Sequence, residues 1–186
     1  MAEQVPPAVE SGAAAQLALH VDGQQVTVPA GTTLLGAIAR AGIDTPTLCY
    51  DSHLTPVNAC RVCVVELKGA RVLAAACSRV AEPGMEVQTD SPRVRLARRM
   101  VLELLQSAVE TGTAPALERY AGRYGAQPAR LAGGVTVAQP VRGDDNRLYV
   151  RDYERCILCY KCVQACGDEV QKTFAIAVAG RGFGAH

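Results

Sequence analysis

Eight cysteines in two tight groups constrain this 186-residue chain more than any other feature of its sequence. Each group supplies four thiolates, the number that completes the tetrahedral coordination of a two-iron or a four-iron cluster. The sequence therefore predicts a chain that folds around iron and sulfur and carries electrons. The first group is Cys49, Cys60, Cys63 and Cys77, and the second is Cys156, Cys159, Cys162 and Cys166.

Zinc is the alternative metal, because it also binds four thiolates. Zinc ribbons usually carry two Cys-x2-Cys knuckles, whereas only Cys60 and Cys63 have that spacing in the first group. A zinc-stabilised interaction protein stays open as a function of a different class. Arg61, next to Cys60, disfavours a core of metal-free thiols, and the missing export signal disfavours disulfides.

Charge and hydropathy exclude several kinds of partner. Lys and Arg total 19 against 18 Asp and Glu, so no overall field favours nucleic acid or an anionic membrane. Residues 1–15 show neither the basic nor the apolar region of a targeting peptide, and no apolar run approaches the roughly 20 residues that cross a bilayer. We expect a cytoplasmic protein without membrane insertion.

The residues before the first cysteine predict a hairpin followed by a helix. Apolar residues alternate over 17–28 around an Asp-Gly pair, which is typical of a tight β-hairpin. Thr32 or Thr33 can cap the short helix that follows, and Gly42 lies where a C-terminal glycine would end it. The loop 44–58, rich in turn residues, then contains Cys49.

Further strands and a long helix are predicted around Cys63 and Cys77. Residues 62–67 and 71–76 indicate two strands, and 86–89 an additional edge strand. Ser91 precedes a proline and is expected to cap the long helix. The predicted buried stripe of that helix is Val94, Ala97, Val101, Leu104, Leu105 and Ala108.

Basic residues near the cysteines allow two interpretations. Arg61, Arg155 and Lys161 could stabilise reduced clusters electrostatically or could simply be solvated. Four more arginines crowd the start of the long helix, where we expect a solvated face and, as the alternative, a docking surface for a partner protein. These four are Arg93, Arg95, Arg98 and Arg99.

The first cysteine group carries a family resemblance. Its spacings of ten, two and thirteen residues, within TPTLCYDSHLTPVNACRVCVVEL, resemble the N-terminal 2Fe-2S domain of NAD-dependent formate dehydrogenase alpha chains. The same domain opens the large iron–sulfur subunit of respiratory complex I and occurs in some hydrogenases. The resemblance implies a β-grasp fold over residues 16–109 and a 2Fe-2S cluster held by Cys49, Cys60, Cys63 and Cys77.

The second group has the spacing of a bacterial ferredoxin. Cys156, Cys159, Cys162 and Cys166 are separated by two, two and three residues, the run that binds a 4Fe-4S cluster. In two-cluster ferredoxins the fourth cysteine ligates the neighbouring cluster and precedes a proline, but this chain has one run and Gly167 at that position. Cys166 could ligate its own cluster, a partner could supply the fourth ligand, or the cluster could be labile.

The sequence around the second cysteine group again resembles the formate dehydrogenase alpha chain. Three features of that family are missing from this sequence: the second cysteine run, the molybdenum or tungsten domain and the His-and-three-Cys cluster. The predicted fold class is α+β: a β-grasp 2Fe-2S ferredoxin-like domain, a linker and a partial bacterial-ferredoxin-like 4Fe-4S module. We predict a disordered tail over 1–15, the 2Fe-2S domain over 16–109, a partly ordered connector over 110–148 and the 4Fe-4S module over 149–186. Within the connector, Ala116 to Tyr124 is the one short helical candidate.

The expected function is electron transfer inside a larger oxidoreductase. No nucleotide fingerprint and no nucleophile-and-base set is present in the sequence, so we expect no catalytic site on this chain. The resemblance implies partners in the same complex: a flavin- and NAD-binding subunit, and a molybdenum- or tungsten-containing subunit that oxidises formate. A hydrogenase or a complex I-like NADH module is the alternative complex.

Overall fold

A five-stranded mixed sheet forms the centre of the first domain in this computed structural model, which describes residues 15–112, 114–131, 148, 152–181 and 185. The strand order is β2-β1-β5-β3-β4. The strands are β1 (Gln16–Val21), β2 (Gln24–Pro29), β3 (Val64–Leu67), β4 (Ala74–Ala75) and β5 (Glu86–Gln88). The helices are α1 (Leu34–Arg40), α2 (Pro92–Ala108), α3 (Pro115–Tyr124) and α4 (Lys161–Cys166). Short 3-10 turns cover Pro128–Leu131 and Tyr153–Arg155.

The predicted hairpin and short helix are present. Asp22 and Gly23 have φ values of 49° and 84°, the left-handed conformations that let a two-residue turn join β1 to β2. Thr33 caps α1, since its side chain accepts a hydrogen bond from the amide of Gly36 at 3.2 Å. Gly42, with φ 77°, follows the end of the helix. Both predictions are confirmed because their signals are local.

Strand β5 lies in the middle of the sheet, and its prediction as an edge strand is wrong. It pairs in parallel with β1, where Val21 faces Val87, and antiparallel with β3, where Leu67 faces Val87. A three-residue strand beside a Pro-Gly turn has the local pattern of an edge. Its position is set by the chain returning between two hairpins, a tertiary event without a local signal.

The first hydrophobic core lies between the sheet and α1. Alternate residues of β1 and β2 point into it, and one face of α1 covers them. Ala76, which directly precedes Cys77, also belongs to this core. Its fully buried members include Leu19, Val21, Val28, Leu34, Ile38 and Val65.

Helix α2 begins as predicted but is rotated from its predicted orientation. The Ser91 side chain accepts a hydrogen bond from the amide of Val94 at 3.3 Å and caps the helix. The buried residues of α2 are Val94, Arg98, Leu102 and Glu103, whereas Leu104, placed in the predicted stripe, is exposed. Arg98 and Glu103 are therefore buried at positions that the apolar pattern of the helix predicts to be exposed to solvent.

Helix α3 packs against α2 through a second core, although its sequence lies in the predicted connector. Its buried face adds two tyrosines to the core. Gly125, with φ 63°, ends the helix. Residues 132–147 of the connector and 1–14 of the predicted tail lie outside the described residues. The buried residues of the second core are Val62, Leu102, Leu117, Tyr120 and Tyr124.

Candidate metal centre

The first cysteine group is assembled by a loop and a hairpin. Cys49 and Cys60 lie in the irregular segment between α1 and β3, while Cys63 precedes β3 and Cys77 follows β4. The pairing of β3 with β4, in which Val64 faces Ala75, brings Cys63 and Cys77 side by side. Cys49, Cys63 and Cys77 are buried and Cys60 is half-buried. Four thiols separated in sequence thus share one end of the sheet.

Polar donors and acceptors surround these sulfurs. The amide of Cys60 donates to the Cys49 sulfur at 3.5 Å. The Cys77 thiol lies 3.4 Å from the side-chain oxygen of Asn58, which also accepts a hydrogen bond from Ser78 at 2.7 Å. An amide that points at sulfur stabilises a thiolate ligand, so the loop is preorganised for metal-bound cysteines.

Left-handed backbone at two positions shapes this loop. Asn58 has φ 59° and Arg61 has φ 57°, one on each side of Cys60. Asparagine tolerates this conformation, whereas for arginine it is uncommon. A backbone that alternates between right- and left-handed conformations can turn successive amides toward a concave anion site. The donors around the sulfurs are therefore built into the backbone.

The thiol pKa values show that the four sulfurs interact. A hydrogen bond from Cys77, assisted by backbone amides of Cys77 and Ala76, lowers the pKa of Cys63 against the opposing effect of burial. The same hydrogen bond, followed by burial, raises the pKa of Cys77, and the charges of Cys63, Cys49 and Cys60 raise it further. Burial raises the pKa of Cys49. Four thiolates held together at this site would therefore need a bound cation to neutralise them.

The donor set fits an iron–sulfur cluster. Four thiols, three of them buried, and a backbone amide directed at sulfur are the kinds of ligand and hydrogen bond that such clusters use. In the described ranges, no set of three or more Cys, His, Asp and Glu side chains already forms a site for a metal ion. The fit therefore rests on the chemistry of the donors and on their shared pocket.

The second cysteine group lies around α4. Cys156 and Cys159 precede the helix and are half-buried, whereas Cys162 is exposed and Cys166 is buried. Leu158 and Tyr160 have φ values of 53° and 64°, so this loop also contains left-handed backbone. The assignment of these four residues to a 4Fe-4S cluster stays a prediction.

The Cys166 sulfur contacts the segment that follows α4. It accepts the amide hydrogen of Ala175 at 3.0 Å and lies 3.2 Å from the Thr173 hydroxyl. The hydrogen bond with Thr173, assisted by amides of Ile176 and Ala175, lowers the pKa of this thiol although burial acts in the opposite direction. Whether Cys166 also ligates its own cluster stays a prediction.

Contacts join the two cysteine groups, and sequence reasoning missed them. Gln164 of α4 donates its side-chain amide to the Thr55 carbonyl, in the loop between Cys49 and Cys60, at 2.6 Å. Near the end of α2, the Glu110 amide donates to the Glu154 carbonyl at 2.9 Å. The Arg155 guanidinium lies 3.1 Å from the Glu110 carboxylate, so here it serves an ion pair. These residues are distant in sequence and carry no motif.

Arg98 lies in the protein interior, and the prediction that it is solvated is wrong. Its side chain is 1% exposed and donates to the Val64 carbonyl at 2.9 Å and to the Tyr124 hydroxyl at 2.6 Å. Burial lowers the pKa of Arg98, and the neighbouring Tyr124 counteracts that effect. Because Val64 directly follows Cys63, Arg98 ties α2 and α3 to the strand that begins immediately after this cysteine.

The fold and the first cysteine group resemble one class of domain, the 2Fe-2S cluster-binding domain of the ferredoxin type. Residues 14–92 match the family model described as "2Fe-2S iron-sulfur cluster binding domain", and this range contains the whole first group. The α+β fold is confirmed. Among the described residues, no helix is long and apolar enough to span a bilayer.

Similar proteins extend the likeness over most of the chain. The NADP-reducing hydrogenase subunit HndD of Solidesulfovibrio fructosivorans is 36% identical over 180 residues, which cover 90% of this chain and 30% of that protein. The mitochondrial NADH-ubiquinone oxidoreductase 78 kDa subunit of Candida albicans is 31% identical over 178 residues, covering 90% and 24%. This chain thus spans less than a third of the length of either relative.

A solved structure shows the same architecture. In the crystal structure of an NAD+-reducing nickel–iron hydrogenase in the H2-reduced state, one chain superposes with a TM-score of 0.76 at 26% identity. The match covers 92% of this chain and 74% of that one. The shared domain is therefore found in hydrogenase and NADH-oxidoreductase proteins, while the narrower resemblance to formate dehydrogenase stays a prediction.

Proposed function

We propose that this chain is an iron–sulfur electron-transfer subunit of an NAD(P)-linked oxidoreductase complex. The observation that carries the proposal is the meeting of Cys49, Cys60, Cys63 and Cys77 at one end of the sheet, with a backbone amide directed at sulfur. These residues would hold the 2Fe-2S cluster, which exchanges one electron at a time when bound. The fold excludes water from three of the four sulfurs and fixes the loop that presents the fourth.

The complex that this subunit serves is proposed from its relatives. The hydrogenase candidate is supported by the names of the first relative and of the superposed structure, and a complex I-like module by the second relative. NAD-dependent formate dehydrogenase, with its molybdenum or tungsten subunit, stays a candidate from sequence resemblance. All these alternatives share a flavin- and NAD(P)-binding partner, and we propose a cytoplasmic location, where thiols remain reduced.

Anaerobic purification of the full chain tests the proposal. Iron and sulfide analysis combined with electron paramagnetic resonance (EPR) of the dithionite-reduced protein should reveal a rhombic 2Fe-2S signal, together with a 4Fe-4S signal if the second group is loaded. Cys60→Ser should abolish or weaken the first signal, because the pocket loses a ligand. Cys162→Ser is the matched control and should leave the 2Fe-2S signal unchanged.

A colourless protein that contains zinc would refute the proposal and favour the zinc-stabilised interaction protein. An unchanged 2Fe-2S signal in Cys60→Ser would contradict the ligand assignment. To test the partner, the tagged chain is isolated from its source cells and analysed for flavin. NADH or NADPH should then reduce the cluster in the isolated complex, whereas no reduction by either nucleotide would contradict the NAD(P) link.

A further inference from the structure

An exposed apolar groove runs between α2 and residues 71–73. Leu96, Met100 and Leu104 recur every fourth residue along one face of α2 and are 49%, 46% and 53% exposed. Leu96 and Met100 line the groove together with Val72, which is 72% exposed. The groove has a volume of about 440 Å³. Solvent-facing helix surfaces ordinarily carry polar side chains, so a stripe of three large apolar residues indicates a contact surface.

The groove lies next to β4, which is short. The sequence predicts a strand over 71–76, whereas β4 covers only Ala74–Ala75. Pairing with β3 is limited to Ala74 and Ala75, so residues 71–73 leave the sheet and stand beside α2. The rotation of α2 has the complementary effect: Arg98 faces the core and Met100 faces the groove. With Arg98 in the core, Leu104 of the predicted buried stripe joins Leu96 and Met100 on the exposed face of α2.

The charge of the groove selects its occupant. Arg61 and Arg93 both line it, and none of the described residues that line it is Asp or Glu. The Arg61 side chain donates to the Leu73 carbonyl at 3.1 Å. This acceptor is uncharged, so the contact does not neutralise the guanidinium. Arg93 forms an ion pair with Glu66 at 3.5 Å, so Arg61 contributes most of the positive charge that a partner would meet in the groove. An apolar floor with a basic margin complements a surface that has an apolar anchor flanked by carboxylates.

The groove also adjoins the first cysteine group. Arg61 is one of the two residues between Cys60 and Cys63, and its side chain forms part of the groove. Cys60 and Val101 pack against the same core cluster, and Val101 also lines the groove. A protein bound here would lie beside the half-buried cysteine of the group. Because electron transfer slows steeply with distance, this is a favourable place for a redox partner.

We propose that this groove is the docking surface for the redox subunit that exchanges electrons with the first cluster, and that this subunit inserts an apolar side chain flanked by carboxylates. The inference rests on the proposed function and adds the site and the chemistry of the partner. The apolar stripe would provide the buried centre of the interface, and Arg61 and Arg93 its charged margin.

Site-specific photocrosslinking in the source cells tests this surface. The probe is p-benzoylphenylalanine introduced at Met100 in the tagged full chain, and at Val80 as a matched control. Val80 is also an exposed apolar residue but lies beside the start of α1, where it bridges to Thr33. The Met100 probe should link to a different subunit, at a peptide that contains Asp or Glu next to a large apolar residue. The Val80 probe should not form this link.

Two exposed substitutions measure the contribution of the groove. Met100→Glu introduces like charge opposite the expected carboxylates, and Arg93→Glu reverses the basic margin. Each should weaken association with the cross-linked subunit at least about tenfold, the loss expected at an interface hot spot. Val80→Glu should leave association unchanged. The dithionite-reduced 2Fe-2S EPR signal should persist in all three variants and thereby confirm an intact domain.

The outcomes separate this inference from the proposed function. An intact 2Fe-2S signal with no heteromeric link from Met100 overturns the docking surface and leaves the electron carrier standing. A link to a second copy of this chain also overturns it, since the groove would then be a homodimer contact. A wild-type protein without iron overturns the proposed function, and the docking inference with it. Unchanged association in both groove variants likewise contradicts the docking surface.

Discussion

The buried Arg98 gives the sharpest test of how this fold is held together. Arg98→Met keeps much of the length and apolar contact of the side chain but removes its donors. The carbonyl of Val64 and the hydroxyl of Tyr124 then lose hydrogen bonds of 2.9 and 2.6 Å. A buried acceptor left without its partner costs about 1–3 kcal/mol, and the tyrosine hydroxyl can partly reorient. Removing a desolvated charge offsets part of the loss, so the expected net destabilisation is about 2–4 kcal/mol.

Urea unfolding of the cluster-loaded protein, followed anaerobically by far-UV circular dichroism, measures this effect. With a dependence of about 2 kcal/mol per molar urea, the midpoint should fall by about 1–2 M. Arg79→Ala is the control, because Arg79 forms an exposed ion pair with Glu82 at 2.7 Å and should contribute less than about 1 kcal/mol.

A double-mutant cycle then isolates the pair. Tyr124→Phe should cost less in the Arg98→Met background than in the wild-type protein, with a coupling energy of about 1–2 kcal/mol. A midpoint for Arg98→Met within about 0.2 M of the wild-type value, roughly 0.4 kcal/mol at that slope, would refute the reasoning, because the arginine would then contribute no net stability. Additive effects of the two substitutions would show that the hydrogen bond between them is not the source of the stability.

Three further perturbations address the cysteine loop and its neighbours. Asn58→Ala should speed chelator-driven loss of 2Fe-2S absorbance about tenfold, because it removes the hydrogen bond from Ser78 beside Cys77 and puts alanine at φ 59°. Asn58→Gly should recover part of the loss, and equal rates in all three proteins would contradict this role. Gln164→Leu removes the hydrogen bond to the Thr55 carbonyl, so amide hydrogen exchange in residues 152–176 should quicken about fivefold, the equivalent of about 1 kcal/mol. The 2Fe-2S signal should stay unchanged, and unaltered exchange would show that this contact does not hold α4. Glu103→Ala should lower the free energy of unfolding by about 2–4 kcal/mol, because the buried carboxylate accepts hydrogen bonds from the Gln127 amide and the Arg130 side chain. An unchanged urea midpoint would contradict this contribution.

Predictions from the sequence succeed where a few neighbouring residues determine the conformation. The Asp22-Gly23 turn, the Thr33 cap and the Ser91 cap are each set by interactions within four residues, and the structure has all three. The spacing of the first cysteines predicts a 2Fe-2S domain, which the family match over 14–92 supports. Ligand spacing is a strong signal because coordination geometry tolerates few alternatives.

The predictions fail where packing between distant segments decides the outcome. Strand β5 pairs with β1 on one side and with β3 on the other, and nothing in the sequence of residues 86–88 indicates that it has two neighbouring strands. The buried face of α2 differs from the predicted stripe because Arg98 finds its acceptors on β3 and α3. A helix periodicity describes which residues share a face, but burial of that face depends on what the rest of the chain places against it.

Cysteine spacing by itself thus indicated the iron–sulfur chemistry that we propose for this protein, because four thiolates at those intervals suit the assembly of iron and sulfur. The sequence also determined the β1–β2 hairpin and the starts of α1 and α2, because residues close together in sequence set these conformations. Only the tertiary structure decided that the loop with Thr55 meets Gln164, that an arginine supports the strand after Cys63, and that Met100 faces solvent beside the cluster loop. The physical reason is that hydrogen-bond partners and buried faces are chosen across the whole fold, among residues that the linear sequence keeps far apart.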